Sequence, residues 1–171
     1  MQPGPDAPLW TPVSSLITHV RVRFQECDPL GHVNNATFIS YLEQAAFDHA
    51  AILGWPVERL RDEIGAVFIV RRHEITFHQP AFEDQVLQIL TWPGELTGAR
   101  AVRMYEMRRI DADPYAVPPS RIVPGPNVPH FDKSELVVSG QTLFAFVHLE
   151  RGRPVRVPDL VAQGFLMEEP A

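Results

Sequence analysis

The chain has a single cysteine, Cys27, in 171 residues, which excludes an internal disulfide and any metal site built on several thiolates. No apolar run approaches the roughly 18 residues of a membrane-spanning helix, so no membrane partner is expected. The first residues carry neither the basic start nor the apolar core of a secretory signal, and a cytoplasmic address is expected. Positive charge is in short supply. Fifteen Lys and Arg against 21 Asp and Glu give a formal net charge of −6 and a pI near 5.6. Nucleic acid and anionic membrane surfaces both require a basic face, so neither is an expected partner. A Gly-x-Ser-x-Gly elbow and a phosphate-cradling glycine loop are also missing. His73-Glu74 does not begin a zinc-protease motif, because Phe77 stands where the second histidine would fall and His78 comes one residue late. No metal site is expected.

What is present is a chain with 45% hydrophobic residues, long enough for one domain with a real core. It is organised around Phe24 to Gly54, which reads as a strand end, a tight loop with Asp28 and His32, and one long helix. Asn34 is the N-cap candidate, with Val33 and Phe38 placed as the halves of a hydrophobic staple. The helix is expected to begin at Asn35 and to stop before Gly54 and Pro56, a length of roughly 28 Å at 1.5 Å per residue. Ile39, Leu42, Ala46, Ala50 and Leu53 form one apolar stripe, widened by Phe38, Ala45 and Ile52. Ser40, Glu43, Gln44 and Asp48 make a narrow polar edge, and the alanines would let a sheet approach closely.

Around this centre the period changes. Ile17 to Gln25 alternates as a half-buried strand with Thr18, Val20, Val22 and Phe24 inward. Pro56 to Ile64 reads as a short helix closed by Gly65. Ala66 to Gln79, Gln85 to Trp92, Ala99 to Ile110 and Glu135 to Glu150 read as strands, with Pro93-Gly94 and Thr97-Gly98 as turn signals. A strand, a helix and then a run of antiparallel strands is an α+β order with the helix across one sheet face. Residues 1–13 read as a Pro-rich tail whose Leu9 and Trp10 dock if ordered, residues 14–165 as one domain, and residues 166–171 as a C-terminal tail. Between the fourth and fifth strands, residues 111–134 hold six prolines, far more chain than a hairpin needs. This insertion is either a passive loop or a lid carrying Tyr115, His130 and Phe131 over a pocket.

The segment Asp28-Pro29-Leu30-Gly31-His32-Val33-Asn34-Asn35, followed by an aromatic-rich helix with Tyr41-Leu42-Glu43, resembles the hotdog-fold acyl-CoA thioesterases of the 4-hydroxybenzoyl-CoA thioesterase-like family. The HVNN stretch is also similar to plant acyl-ACP thioesterases. A hotdog dehydratase would carry a GHFP-like segment, and here GHVNN stands instead. The resemblance covers about residues 17–110 and 135–160. It implies a long helix wrapped by a curved antiparallel sheet, a homodimer or homotetramer, an acyl-CoA substrate and no cofactor, CoA being part of the substrate. An acyl-ACP thioesterase and a non-catalytic acyl-binding subunit are the rivals.

The candidate chemistry follows. Ionised Asp28 can attack a thioester carbonyl or activate a water, or it can simply form the turn. The Asn35 N–H, unpartnered at the helix start, can polarise the carbonyl oxygen. His32 either holds the loop or touches substrate, and Asn34 is first of all a cap. Pro29, Gly31 and Asn34 belong to the substrate-binding loop. Glu43 is a second carboxylate, either solvated or catalytic, since other hotdog branches place their acid on this helix. Cys27 is a weak nucleophile candidate because it points away from the side Asp28 takes. Arg71, Arg72 and His73 either meet CoA phosphates or keep a strand edge charged.

Overall fold

Asn34 caps the long helix through its own carboxamide. In the computed structural model, which describes residues 11–167, its oxygen accepts from the Ala36 N–H at 2.9 Å, and α1 runs Asn35–Ile52. Gly54, at φ 86°, takes the left-handed conformation just past the end. The strands are β1 (Thr11–Pro12), β2 (Ser14–Arg21), β3 (Ala66–Phe77), β4 (Val86–Thr97), β5 (Arg100–Ile110), β6 (Arg121–Pro124), β7 (Leu136–His148), β8 (Arg153–Pro154) and β9 (Leu166–Met167). Two short helices, α2 (Val57–Arg59) and α3 (Asp159–Phe165), complete the elements, and α2 runs on into a wider turn over Leu60–Ile64. One antiparallel sheet has the order β3-β7-β5-β4-β2-β6, with β8 on β7, while β1 pairs separately with β9. Helix α1 packs on one face of this sheet, against β2 and β4.

The core on the helix side has two parts. Phe38, Tyr41, Leu42 and Ala45 of α1 meet Leu87, Ile89, Tyr105, Met107 and Val138 of the strands. Beyond the other end of α1, Trp55, Leu60, Leu96, Phe146, Val161 and Phe165 form the second part. In β3 a bulge between Val70 and Arg72 is needed for both parts to face the helix. Phe68 and Val70 pair with Phe146 and Phe144, but after the bulge it is His73, Ile75 and Phe77 that turn to the helix side, and Phe77 lies 5.9 Å from the Phe38 ring. The extra residue, Arg71, reverses the alternation.

Several expectations are corrected. Strand β2 starts before Ile17 and ends at Arg21, because Arg23 to Glu26 turn away in a capped 3-10 helix; Phe24 is therefore 76% exposed rather than inward. Ile17 is buried, on the opposite sheet face. Pro93-Gly94 is not a turn but part of a bulge inside β4, which continues to Thr97. Ile52 does not widen the apolar stripe, since both it and Phe47 are 54% exposed, whereas Tyr41 and His49 are buried. The expected docking of Leu9 and Trp10 lies outside the described residues.

The 111–134 segment is structured, and it lies away from the helix. Its β6 pairs with β2 at the sheet edge, and Val123, Val128 and Phe131 pack on Ile17, Leu90 and Trp92. Leu90 and Trp92 alternate with the helix-facing Leu87 and Ile89, so this insertion covers the other face of the sheet. Glu106 holds it there by accepting from the Phe131 N–H at 2.7 Å.

Gly140 in β7 stands where β3 approaches most closely. A Cβ there would sit 2.2 Å from the Glu74 carbonyl oxygen, a backbone atom that cannot move without parting the strands. Gly140→Ala is expected to cost at least about 2 kcal/mol, read as a lowered urea midpoint; an unchanged midpoint would show that β3 is not tightly held.

Candidate active site

The loop before α1 is a small closed device. Cys27 bridges Val33, the Asp28 N–H donates to the His32 carbonyl at 2.7 Å, and the Gly31 N–H to the Asp28 carbonyl at 2.9 Å. Gly31 has φ 79°, which a glycine adopts without strain. The Asp28 Oδ1 accepts from the N–H of Leu30 at 2.8 Å and of His32 at 3.1 Å. The acid thus does form the turn, but through one oxygen; Oδ2 accepts no hydrogen bond among the described residues. Pro29 is exposed at the tip, and the His32 ring meets Phe82 edge-on at 5.1 Å. The Asn35 N–H likewise donates to nothing among the described residues, while Asn34 is occupied as cap. Burial and nearby acidic groups push the Cys27 thiol up, which disfavours the thiolate a nucleophile needs.

Glu26, overlooked in the sequence, fixes this loop to α1. Glu26 is buried, and its carboxylate accepts from the Tyr41 hydroxyl at 2.5 Å and from the Arg23 N–H at 2.7 Å, while its carbonyl accepts from the Asn34 N–H at 2.9 Å. Burial opposes the Glu26 charge, but the Arg23 and Tyr41 hydrogen bonds outweigh it and hold the carboxyl below its usual range. A glutamate in an exposed-looking FQECD run gave no hint of this.

The remaining candidates lie elsewhere. Glu43 is on α1, with its Oε1 3.8 Å from His73 Nε2, and His73 Nδ1 lies 2.8 Å from Thr142 Oγ1. Because of the bulge, Arg71, Arg72 and His73 do not form one patch: His73 faces the helix, whereas Arg72 faces the other way, paired with Glu74 at 2.9 Å. An apolar cavity of about 120 Å³ opens between the second half of α1, α3 and the sheet. Its walls include Phe47, Phe68, Leu96, Phe144 and Phe165, and of the candidate residues only Glu43 reaches it.

At the boundary between the two core parts, α1, β2, β4 and β5 each contribute a polar residue. His49 of α1 accepts at Nδ1 from Arg103 of β5 at 3.0 Å and lies 3.0 Å from Ser14 Oγ at Nε2. Thr91 of β4 accepts from the same guanidinium nitrogen at 3.3 Å. Burial, aided by the Arg103 charge, pushes the His49 pKa down to about 3, so the ring is neutral with its proton on Nε2. The alternation Ala101, Arg103, Tyr105, Met107 could have marked Arg103 as helix-facing.

With this geometry, the chain can be compared with known proteins. It is similar, with a TM-score of 0.70 and 23% identity, to a variant of 4-hydroxybenzoyl-CoA thioesterase complexed with 4-hydroxybenzoyl-CoA, over 88% of this chain and 97% of that one. A 1,4-dihydroxy-2-naphthoyl-CoA thioesterase from Synechocystis gives 0.68 and 13%, over 88% and 94%. A hypothetical protein from Thermus thermophilus gives 0.67 and 23%, over the same shares. At these identities the likeness defines the class by fold: a hotdog domain of the thioesterase type. No curated protein matches the chain. Residues 22–165 match the family profile of the Thioesterase-like superfamily, and the chain belongs to that superfamily. Thioester hydrolysis is therefore its reaction class. No helix among the described residues is long and apolar enough to cross a membrane.

The neutral His49 makes stability pH-dependent. Its folded pKa, about 3, lies below the ordinary 6.5, so the unfolded chain binds the proton first and stability falls as pH drops from about 6.5 toward 3. His49→Gln preserves an acceptor and a donor without titrating. Urea unfolding at about pH 7 and 5.5, above most carboxylate titration, should show a larger loss in the parent than in the variant, which keeps the contribution of His19, whose pKa burial also lowers; equal losses would assign the slope to other groups.

Proposed function

We propose that the protein hydrolyses an acyl-CoA to the free acid and CoA, with Asp28 as nucleophile or general base and the Asn35 N–H polarising the thioester carbonyl. The observation that carries this is the pairing, on one loop, of a carboxylate with one free oxygen and an unpartnered N–H at the start of an 18-residue helix. In either version the C–S bond breaks and CoA leaves as the thiol. As nucleophile, Asp28 forms an anhydride that water then cleaves; as base, it takes the proton of the attacking water. His32, Pro29, Gly31 and Asn34 would shape the loop around the substrate, and Arg71, Arg72 and His73 remain candidates for CoA contact. The CoA thioesters named for two similar structures favour CoA as the carrier. The acidic net charge disfavours docking an acidic carrier protein.

The reading requires a second copy, because the cavity is far from Asp28 within one chain. The α1 residues that line the cavity, Glu43 to Ala50, stand roughly 12 to 22 Å from Asn35 along the helix axis. Strand β3 is a sheet edge of 12 residues with a neighbour, β7, on one side only. Antiparallel pairing of two β3 edges about a two-fold axis would bring the Asp28 loop of one copy toward the cavity of the other. Exposed apolar residues lie at both places: Leu30, Phe77 and Phe82 at the loop, Phe47 and Val57 at the cavity. A homodimer, alone or doubled into a tetramer, follows from this proposal. A second reading makes Glu43 the catalytic acid, favoured by its being the one candidate carboxylate on the cavity wall.

Asp28→Asn should abolish thiol release from acyl-CoA with the fold intact, whereas Glu43→Gln should leave most of it; the reverse pattern would establish the Glu43 reading. Asn35→Pro removes the proposed oxyanion donor at a first helical position that accepts proline, and Asn35→Ala keeps that donor. The proline variant should lose roughly 10²- to 10³-fold in turnover at an unchanged Tm, the alanine variant little. Equal activities would mean that the carbonyl is polarised elsewhere. Light scattering should give a dimer or tetramer at micromolar concentration, and a monomer would contradict the shared site.

A further inference from the structure

Arg103 is a buried cation that meets no carboxylate among the described residues. It is 7% exposed, and burial acts against its charge, yet it forms no ion pair with a carboxylate among the described residues. Its hydrogen bonds leave from Nη1, to the neutral His49 and to Thr91, and Nε and Nη2 donate to nothing among the described residues. A guanidinium has five N–H donors in a rigid fork suited to a carboxylate. A buried charge without a counter-ion is costly, and a protein of marginal stability retains such a group where something else uses it.

Its position indicates the use. Arg103 lines the apolar cavity, with Phe68, Phe144 and Leu96 around it. Glu43 and Glu95 also line the cavity, but Glu43 is half-exposed and leans on His73, while Glu95 is exposed and accepts from Thr97. Behind the guanidinium, His49 and Ser14 form a relay of hydrogen bonds that holds Nη1 in place and leaves the rest of the fork free. The cavity, about 120 Å³, is comparable with one that accepts a benzene ring.

The geometry points to Arg103 as the receptor for a carboxylate at the far end of the acyl group, so that the preferred substrate is the mono-thioester of a short dicarboxylic acid. The apolar walls take the methylenes and the fork takes the distal carboxylate in paired, charge-assisted hydrogen bonds. That this carboxylate belongs to a thioester rests on the hydrolysis proposed above. The binding of the carboxylate itself does not.

Two measurements separate these claims. First, adipate should raise the Tm of the whole protein, hexanoate should not, and Arg103→Met should abolish the adipate shift. This reads the receptor without any turnover. Second, the parent should prefer adipyl-CoA to hexanoyl-CoA in kcat/KM, and Arg103→Met should reverse the preference, a change of roughly 10²-fold in the ratio. Without ligand, Arg103→Met should still fold, because losing the buried charge and keeping most of the volume offset the hydrogen bonds lost to His49 and Thr91. An adipate shift without hydrolysis of either ester would sustain the receptor and overturn the assignment of its carboxylate to an acyl-CoA. The receptor itself is overturned if adipate and hexanoate act alike on the parent. An adipate shift that persists in Arg103→Met would overturn it as well.

Discussion

The start of α1 is the constraint on which the rest depends. Each residue advances a helix by about 100°, so a start displaced by one position would turn every side chain to a different neighbour. Asn34 settles the start twice, through its carboxamide on the Ala36 N–H and through its own N–H on the Glu26 carbonyl. Glu26 in turn accepts from Tyr41, two turns into the helix. With those bonds made, Tyr41 and His49 point at the sheet, and Glu43 and the half-exposed Phe47 border the cavity.

The same loop shows how one carboxylate can serve structure and chemistry together. Asp28 closes the turn with Oδ1 and leaves Oδ2 without a partner, so the turn orients the group that the proposed reaction needs. A turn held by backbone N–H groups is pre-organised, and little reorientation remains when substrate arrives. The sheet makes the complementary arrangement. A bulge at Arg71 reverses the alternation of β3, and it is this reversal that brings His73 under Glu43 and sends Arg72 to the far side.

Between the two apolar clusters runs a buried polar layer of Ser14, His49, Thr91, Arg103 and Thr142. A continuous apolar core would be simpler to build, and burial of polar groups is tolerated only where they satisfy one another. Most of the layer does so. Arg103 does so through Nη1 alone, and it stands on the wall of the cavity. The insertion of residues 111–134 is absent from this side altogether, packed on the opposite face through Val123, Val128 and Phe131.

By itself the sequence determined what local chemistry controls: the cap at Asn34, the helix to Ile52, the left-handed Gly54, the strands near their observed places, and hence the α+β order with the Asp28 loop before the helix. Those features depend on residues within a few positions of one another, and the motif that carries the family resemblance is of the same kind. Tertiary structure alone decided the rest. The bulges at Arg71 and at Pro93-Gly94 have no local signature, since an extra residue in a strand is specified by its partner across the ladder. Tyr41 reaching Glu26, His49 reaching Arg103, and the insertion folding onto the outer face join residues 15 or more positions apart. Such pairings are fixed by which surfaces the sheet brings together, and no periodicity along the chain records them.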